Sequence, residues 1–381
     1  MSGNGTDPSS LDVAYCVPSG KVFQGVYTQV HGYIALVICL LGSAANSVNI
    51  AVLSRKEMAS STNTILTGLA VADLLVMLDY IPFALHLYTG IGIAYNKNSY
   101  GWAVFVYFHS IFSQTFHTIS IWLTITLAIW RFIAIKFPQK NRTLCNQKNT
   151  NIAIGVAYAV CPILCLPIYF AMNIQELNLS ANENETISEL DVMNSTTSDV
   201  TRERAYAIQM TENKDLLTAI FWIYSVFIKL IPCVVLSILS VLLILKMKSS
   251  DRRRQKLLKK SAITTNEGEK ARLNDDGGKR GGGGRTDRTT RMLVALLGLF
   301  LATELPQALF GLLTAIAPHL FSICYYAFGE VMDLMALVGS AVNFVLYCSM
   351  SRQFRQTFTR LARKVLPLPR PNGEPLVPLK A

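Results

Sequence analysis

Residues 216–246 read LLTAIFWIYSVFIKLIPCVVLSILSVLLILK, a run in which Lys229 is the only charge before the closing Lys246. About 20 apolar residues in a helix cross the hydrocarbon core of a bilayer. This stretch exceeds that length and lacks the polar–apolar alternation of a barrel strand, so it predicts a membrane-spanning helix. Six further stretches of the same kind lie around it, at 31–54, 65–89, 103–136 and 151–172 before it and at 289–316 and 324–348 after it. With 51% hydrophobic and 15% charged residues and a positive mean hydropathy, the chain is unlike a soluble protein. The net charge of +11 does not point to nucleic acid, because the charges sit between the apolar stretches.

Their distribution orients the bundle. Threading seven spans alternately places 29 of the 35 Lys and Arg on one side and 5 on the other, with Lys229 inside a span. Basic segments stay in the cytoplasm, so the amino terminus is expected outside the cell, in the plasma membrane. The first thirty residues lack a signal peptide's apolar stretch and cleavage site, so the first span is expected to direct its own insertion. Glycosylation triplets at Asn4, Asn178, Asn184 and Asn194 fall on outer segments; a fifth, at Asn141, falls inside and is read as chance. The eight cysteines form no CxxC pair and no zinc-ligand spacing, and no structural metal site is expected. Cys16 and Cys324 lie on outer segments and are the candidate extracellular bridge, the alternative being two free thiols.

The expected organisation is an outer tail over 1–30, the bundle over 31–348, and an amphipathic helix with a cytoplasmic tail over 349–381. An outer loop at 173–215 carries nine acidic residues against three basic ones, a field that would draw in cations. The inner loop at 247–288, with Arg252 to Arg254 and Gly281 to Gly284, reads as a basic linker. In SRQFRQTFTRLARK (351–364), Phe354, Phe358 and Leu361 share one face and basic residues surround them, the pattern of a helix lying on the inner lipid surface. The expected fold is therefore all-α: a seven-transmembrane helix bundle with a short amphipathic eighth helix.

Polar groups at mid-membrane are costly and each needs a partner or a role. Asn46, Asp73 and Asn343 share a depth in spans one, two and seven. Taken with Arg131 closing span three, Pro232 in span five, Pro306 in span six and NFVLY ending at Tyr347, they resemble the signature positions of rhodopsin-like G-protein-coupled receptors, in order and on the right spans. HGYIALVICLLGSAANSVNI (31–50), HTISIWLTITLAIWRFIAI (117–135) and TDRTTRMLVALLGLFLATELPQ (286–307) resemble arthropod myosuppressin receptors and the wider invertebrate FMRFamide-type receptors. The resemblance covers about 31–364. It implies an extracellular neuropeptide as ligand, a heterotrimeric G protein and arrestin as partners, no enzymatic activity and no cofactor beyond an allosteric sodium ion.

It also implies site residues. Sodium would sit with Asn46, Asp73, Ser120, Ser340 and Asn343. The G protein would meet Arg131, Lys136, Arg288, Arg291, Tyr347 and Phe354. Ligand contacts are expected from Asp79, Ser113, Gln114, Phe116, His117, Glu304, Gln307, Phe310, Tyr326, Glu330 and Asp333. Among these the carboxylates of Glu304 and Asp79, helped by Asp333 and Glu330, are expected to receive a ligand cation such as the guanidinium of an Arg-Phe-amide terminus, and Phe116, Phe310 and Tyr326 its phenyl ring. The bland alternative is that Glu304 and Asp79 serve helix packing. The sequence departs from the family pattern at Trp130, where an acid usually precedes the arginine, at Thr286 beside Asp287, at Phe344 in place of a proline, and at Glu304, two residues before Pro306, where tryptophan is common. The usual outer disulfide has neither partner. Span seven has no lysine for a retinal Schiff base, and the outer third of span three offers Ser113 and Gln114 rather than an amine-binding carboxylate. Transporter repeats and a hydrolase's convergent ligands are likewise absent from the sequence.

Overall fold

The computed structural model describes residues 8–89, 98–177, 205–246, 249, 283–316 and 326–365. The Asn4, Asn178, Asn184 and Asn194 triplets and Cys324, and the side chains of Cys16, Arg288, Arg291, Tyr326 and Tyr347, lie outside what it describes. Span one is the helix Pro8–Leu53 and span two Ser61–Tyr88. Span three is Tyr100–Lys136 and span four Gln147–Ala171. Span six is Gly283–Ile316 and span seven Tyr326–Met350, followed by the 14-residue helix Arg352–Val365. Span five begins at Lys214 and continues helically to Lys246. Six of the seven carry a window apolar and long enough to cross a membrane. Among the described residues span six contributes the apolar stretch Leu297–Leu313.

Side-chain caps start several of these helices. Ser60 accepts from the Asn63 amide, Ser99 from Trp102 and Asn146 from Asn149, each satisfying an amide that the first turn leaves unpaired. The helix of span one starts at Pro8, so what reads in sequence as a separate tail over 1–30 is from that point a continuation of the span. Among the described residues the outer loop holds a pair of strands: β1 (Met172–Leu177) and β2 (Ala205–Met210) pair antiparallel, Met172 opposite Met210. The amide of Tyr206 donates to the Asn98 carbonyl at 2.7 Å and the Tyr206 ring meets Tyr100, fixing the hairpin to the outer end of span three.

The bundle is a ring in which span one packs on two and seven, seven on six and six on five, while span three touches two, four and six. Its polarity is inverted relative to a water-soluble protein. Asn46, Asp73, Lys229, Glu304 and Asn343 are buried, while Leu41, Ile163, Phe227, Leu245 and Val345 face outward. Lipid tails solvate apolar side chains as well as the interior does, so only polar groups and close packing distinguish inside from outside. The inner half is filled by a cluster that includes Ile65, Leu123, Leu127, Leu236 and Leu243, onto which Phe354 of the last helix closes. A smaller cluster of Cys39, Met77, Tyr80 and Leu337 fills the outer half between spans one, two and seven.

Spans one and two approach closely because span one offers glycines. A β-carbon on Gly32 would run into the Tyr88 side chain, and one on Gly42 into Met77; Gly25, about two turns beyond Gly32, has nothing near it. Gly32→Ala is therefore expected to destabilise by about 1–3 kcal/mol as an overpacked contact, while Gly25→Ala is neutral or slightly stabilising through helix propensity. Thermal unfolding of the detergent-solubilised protein separates the two, and equal midpoints would show that these helices part without cost.

Candidate functional site

Span five is where the sequence and the site meet. Pro232 has no amide hydrogen to give and its ring crowds the carbonyl four residues back. The turns before it widen into a π-helical segment, Ile223–Leu230, closed by the Ile231 amide donating to the Val226 carbonyl. Such segments concentrate at functional sites because the extra residue turns side chains inward. Here it brings Ser225 and Lys229 into the bundle, where Lys229 is 1% exposed.

Three groups surround the Lys229 ammonium. It donates to Glu304 Oε2 at 2.6 Å and to Gln307 Oε1 at 2.7 Å, and His117 Nε2 lies 2.9 Å from it. His117 Nε2 also lies 3.1 Å from Glu304 Oε1. One ring nitrogen cannot accept from the ammonium and donate to the carboxylate together, so the Lys229–Glu304 bond is the fixed member and the imidazole adjusts around it. Gln307 uses its other end to donate to the Met332 carbonyl of span seven at 2.8 Å. Spans three, five, six and seven are thus joined at one point.

Above this network, toward the outer end, lies a cavity of about 290 Å³. Ser113, Gln114 and His117 of span three, Lys229 and Tyr224 of span five, Gln307 of span six and Asp333 of span seven line it. Asp333 is exposed to the cavity, and among the described residues it makes no hydrogen bond or ion pair, its basic neighbours His109 and Lys229 acting on it only through space. The other carboxylates singled out from the sequence are occupied. Glu304 belongs to Lys229. Asp79 Oδ2 is 2.6 Å from His109 Nδ1, both nearly buried, with the Phe83 ring stacked on the imidazole at 4.1 Å. Glu330 accepts twice from the Thr28 hydroxyl, at 2.9 and 3.0 Å. Glu304 and Asp79, expected from the sequence to receive a ligand cation, each face a basic side chain in this structure, the arrangement that the packing alternative calls for. Phe116 packs on Phe112 and Tyr158, and Phe310 on Phe328, so neither ring lines this cavity.

Below the network, a pocket of about 30 Å³ is lined by Asp73, Ser120, Thr303, Glu304, Ser340 and Asn343, among others. Ser120 donates to Asp73 Oδ1 at 2.8 Å and the Asn343 amide to Oδ2 at 2.9 Å. Asn46 donates to the Ser340 carbonyl at 3.1 Å. The five residues expected from sequence to form one polar cluster do meet, and the space suits a single water or small ion among oxygen donors.

On the inner side, Trp130 donates to Thr150 Oγ1 at 3.0 Å, tying span three to span four. Its side chain therefore takes a packing direction where the family pattern has an acid beside the arginine. Among the described residues Arg131 makes no ion pair and its Nε has no partner. Lys136 lies over the Phe132 and Phe137 rings. Phe354 is a core residue against Phe344 rather than an exposed contact.

A profile described as serpentine type 7TM GPCR chemoreceptor Srw matches residues 33–364. The chain belongs to this family of G-protein-coupled receptors. It is 31% identical to the G-protein coupled receptor dmsr-1 of Caenorhabditis elegans, over 89% of this receptor and 70% of that one. It is 27% identical to the sex peptide receptor of Drosophila melanogaster, over 87% and 72% respectively. With the FMRFamide receptor of the same fly it shares 24% identity over 86% of its own length and 52% of the other's. The receptor is a multi-pass membrane protein and not an enzyme.

Lys229 is the functional residue that the motif reading passed over. The signal was present in the charge count, since a lone cation in span five and a lone carboxylate in span six, each too costly to bury alone, imply each other. Removing one member of such a pair leaves the other charge buried and uncompensated. His109→Ala is expected to destabilise the receptor by about 3–5 kcal/mol, and adding Asp79→Asn should return most of the loss, as read by thermal unfolding in detergent. Equal destabilisation by single and double variants would mean that the two groups do not depend on each other.

Proposed function

We propose that the receptor sits in the plasma membrane with its amino terminus outside and responds to an extracellular peptide with an RF-amide or myosuppressin-like end, signalling through heterotrimeric G proteins. The observation that carries this reading is Asp333, a carboxylate with no hydrogen bond or ion pair among the described residues, open to a cavity walled by Tyr80, Phe83 and Tyr224. A guanidinium pairs with such a group, and aromatic walls take an apolar neighbour. At about 290 Å³ the cavity is at the small end of ligand sites and accommodates the end of a peptide rather than all of it. The names of the sex peptide and FMRFamide receptors point the same way, and nine carboxylates over 173–215 favour a cationic ligand at a distance.

The ligand acts by binding one conformation of the bundle better than the other, since equal affinity shifts nothing. In this reading the G protein enters beside Arg131 and Lys136, arrestin engages the inner segments, and the helix Arg352–Val365 lies against lipid. Sodium occupies the Asp73 pocket in the resting state, where Ser120, Thr303 and Ser340 supply hard oxygens. Replacing sodium by a large organic cation should raise agonist affinity, and Asp73→Asn should abolish that dependence. An affinity indifferent to the cation leaves Asp73 as helix glue.

The ligand assignment is tested by a panel of amidated peptides on cells expressing the receptor, read by sensors for each G-protein class. Arginine-to-citrulline in the active peptide and Asp333→Asn in the receptor should each cost roughly 10- to 150-fold in potency, the worth of one charge-assisted contact. Together they should cost little more than either alone. A surface-expressed receptor that answers no amidated peptide would sink the reading, and additive losses would move the cation elsewhere.

A further inference from the structure

Pro306 stands inside the continuous helix of span six, where it can neither donate to the carbonyl four residues back nor avoid crowding it, so the helix is weakest against bending at this point. Glu304 lies on the inner side of that point and Gln307 on the outer side. Lys229 bonds both, at 2.6 and 2.7 Å, from a neighbouring helix. The ammonium therefore joins span five to residues on both sides of the turn that Pro306 weakens. Two of its three hydrogens are committed within the protein, one to each half of span six.

The outer arm of this junction reaches the ligand cavity by a short route. Gln307 is held by the carbonyl of Met332, the residue next to Asp333. A ligand cation drawn onto Asp333 bears on this stretch of span seven, and through Gln307 on Lys229. The inner arm is the Lys229–Glu304 bond, with His117 of span three beside it. Glu304 also lines the Asp73 pocket, so the same carboxylate forms part of the ceiling of the inner polar cluster.

We infer that the Lys229–Glu304 ion pair is the latch of this receptor: it holds the inner half of span six in the resting position, and displacement of Lys229 through Gln307 and Met332 releases it. The inference rests on the receptor reading above and assigns its regulation to the floor of the same site. A geometric reason favours this pair over packing in general. Rotation of the inner half about Pro306 lengthens the bond to Glu304 and leaves the bond to Gln307 in place, so the two arms of one ammonium distinguish the two positions of the helix.

The test reads basal guanine-nucleotide exchange on co-expressed G proteins of each class, per receptor at the cell surface and without ligand, so the identity of the peptide does not enter. Single charge removals leave a buried charge unpaired and are unsafe as folding variants. The informative variants are Lys229→Met with Glu304→Met, which removes both charges, and Lys229→Glu with Glu304→Lys, which restores a pair in reverse. The neutral double variant is expected at the surface with basal output raised about tenfold, the effect of one charge-assisted bond on a two-state ratio. The reversed pair should fall back toward the parent. Basal output equal to the parent in the neutral variant overturns the latch, as does a reversed pair as active as the neutral one. Absence of both variants from the surface also overturns it, because the pair would then serve folding rather than the resting state. A latch that fails leaves the peptide panel unaffected, and a panel that fails leaves the basal measurement standing.

Discussion

An ammonium group cannot be left alone among hydrocarbon, and the interior of this bundle is arranged around that fact. Lys229 sits at a depth where an unpaired charge costs several kcal/mol, and the protein answers with a carboxylate, an amide oxygen and an imidazole from two other helices. The π-helical turn before Pro232 is the local device that points the lysine inward. Once it points there, Glu304 has to face it, which sets the rotation of span six about its axis, and Gln307 follows one turn on and reaches span seven. Four spans are thereby registered by one cation.

The same logic repeats at two other depths. Asp79 and His109 register spans two and three near the outside, and Asp73 with Ser120 and Asn343 registers two, three and seven further in. Between these polar layers lie two spaces that share part of their walls, since His117, Ala336 and Ser340 line both the outer cavity and the inner pocket. A side chain common to two spaces is a physical means for what happens in one to be felt in the other, without any long chain of contacts. The wall they share is also the part of the bundle where aromatic packing gives way to hydrogen bonds. Bonds of that kind have discrete made and unmade states, which a continuous apolar contact lacks.

Close packing supplies what the polar layers do not. With no hydrophobic drive between helices in lipid, spans one and two meet at glycines that admit Tyr88 and Met77, and the inner cluster closes on Phe354 from the last helix. The exposed ion pair of Arg360 with Glu57, at 2.6 Å, joins that helix to the first inner turn but is screened and adds little. Trp130 shows how a departure from a family pattern is absorbed: its indole takes up a hydrogen bond to span four, and the neighbouring Arg131 is left without an ion pair among the described residues.

The amino-acid order by itself marked out the seven spans, gave their direction across the membrane as an expectation and placed Asn46, Asp73 and Asn343 at one depth, while Ser120 and Ser340 entered only through the family resemblance. Length, hydropathy and the placement of Lys and Arg are properties of the chain read one residue at a time, and depth along a helix follows from counting. It left open which of several carboxylates are free, because that depends on the facing helix. Glu304, Asp79, Glu330 and Asp333 look alike in sequence, and only the folded bundle gives the first to Lys229, the second to His109 and the third to Thr28. The hairpin over β1 and β2 was hidden for a related reason, since twenty-eight or more residues separate its paired positions. The rotation of each helix about its own axis decides partners, and that rotation is set by contacts between spans far apart in the chain.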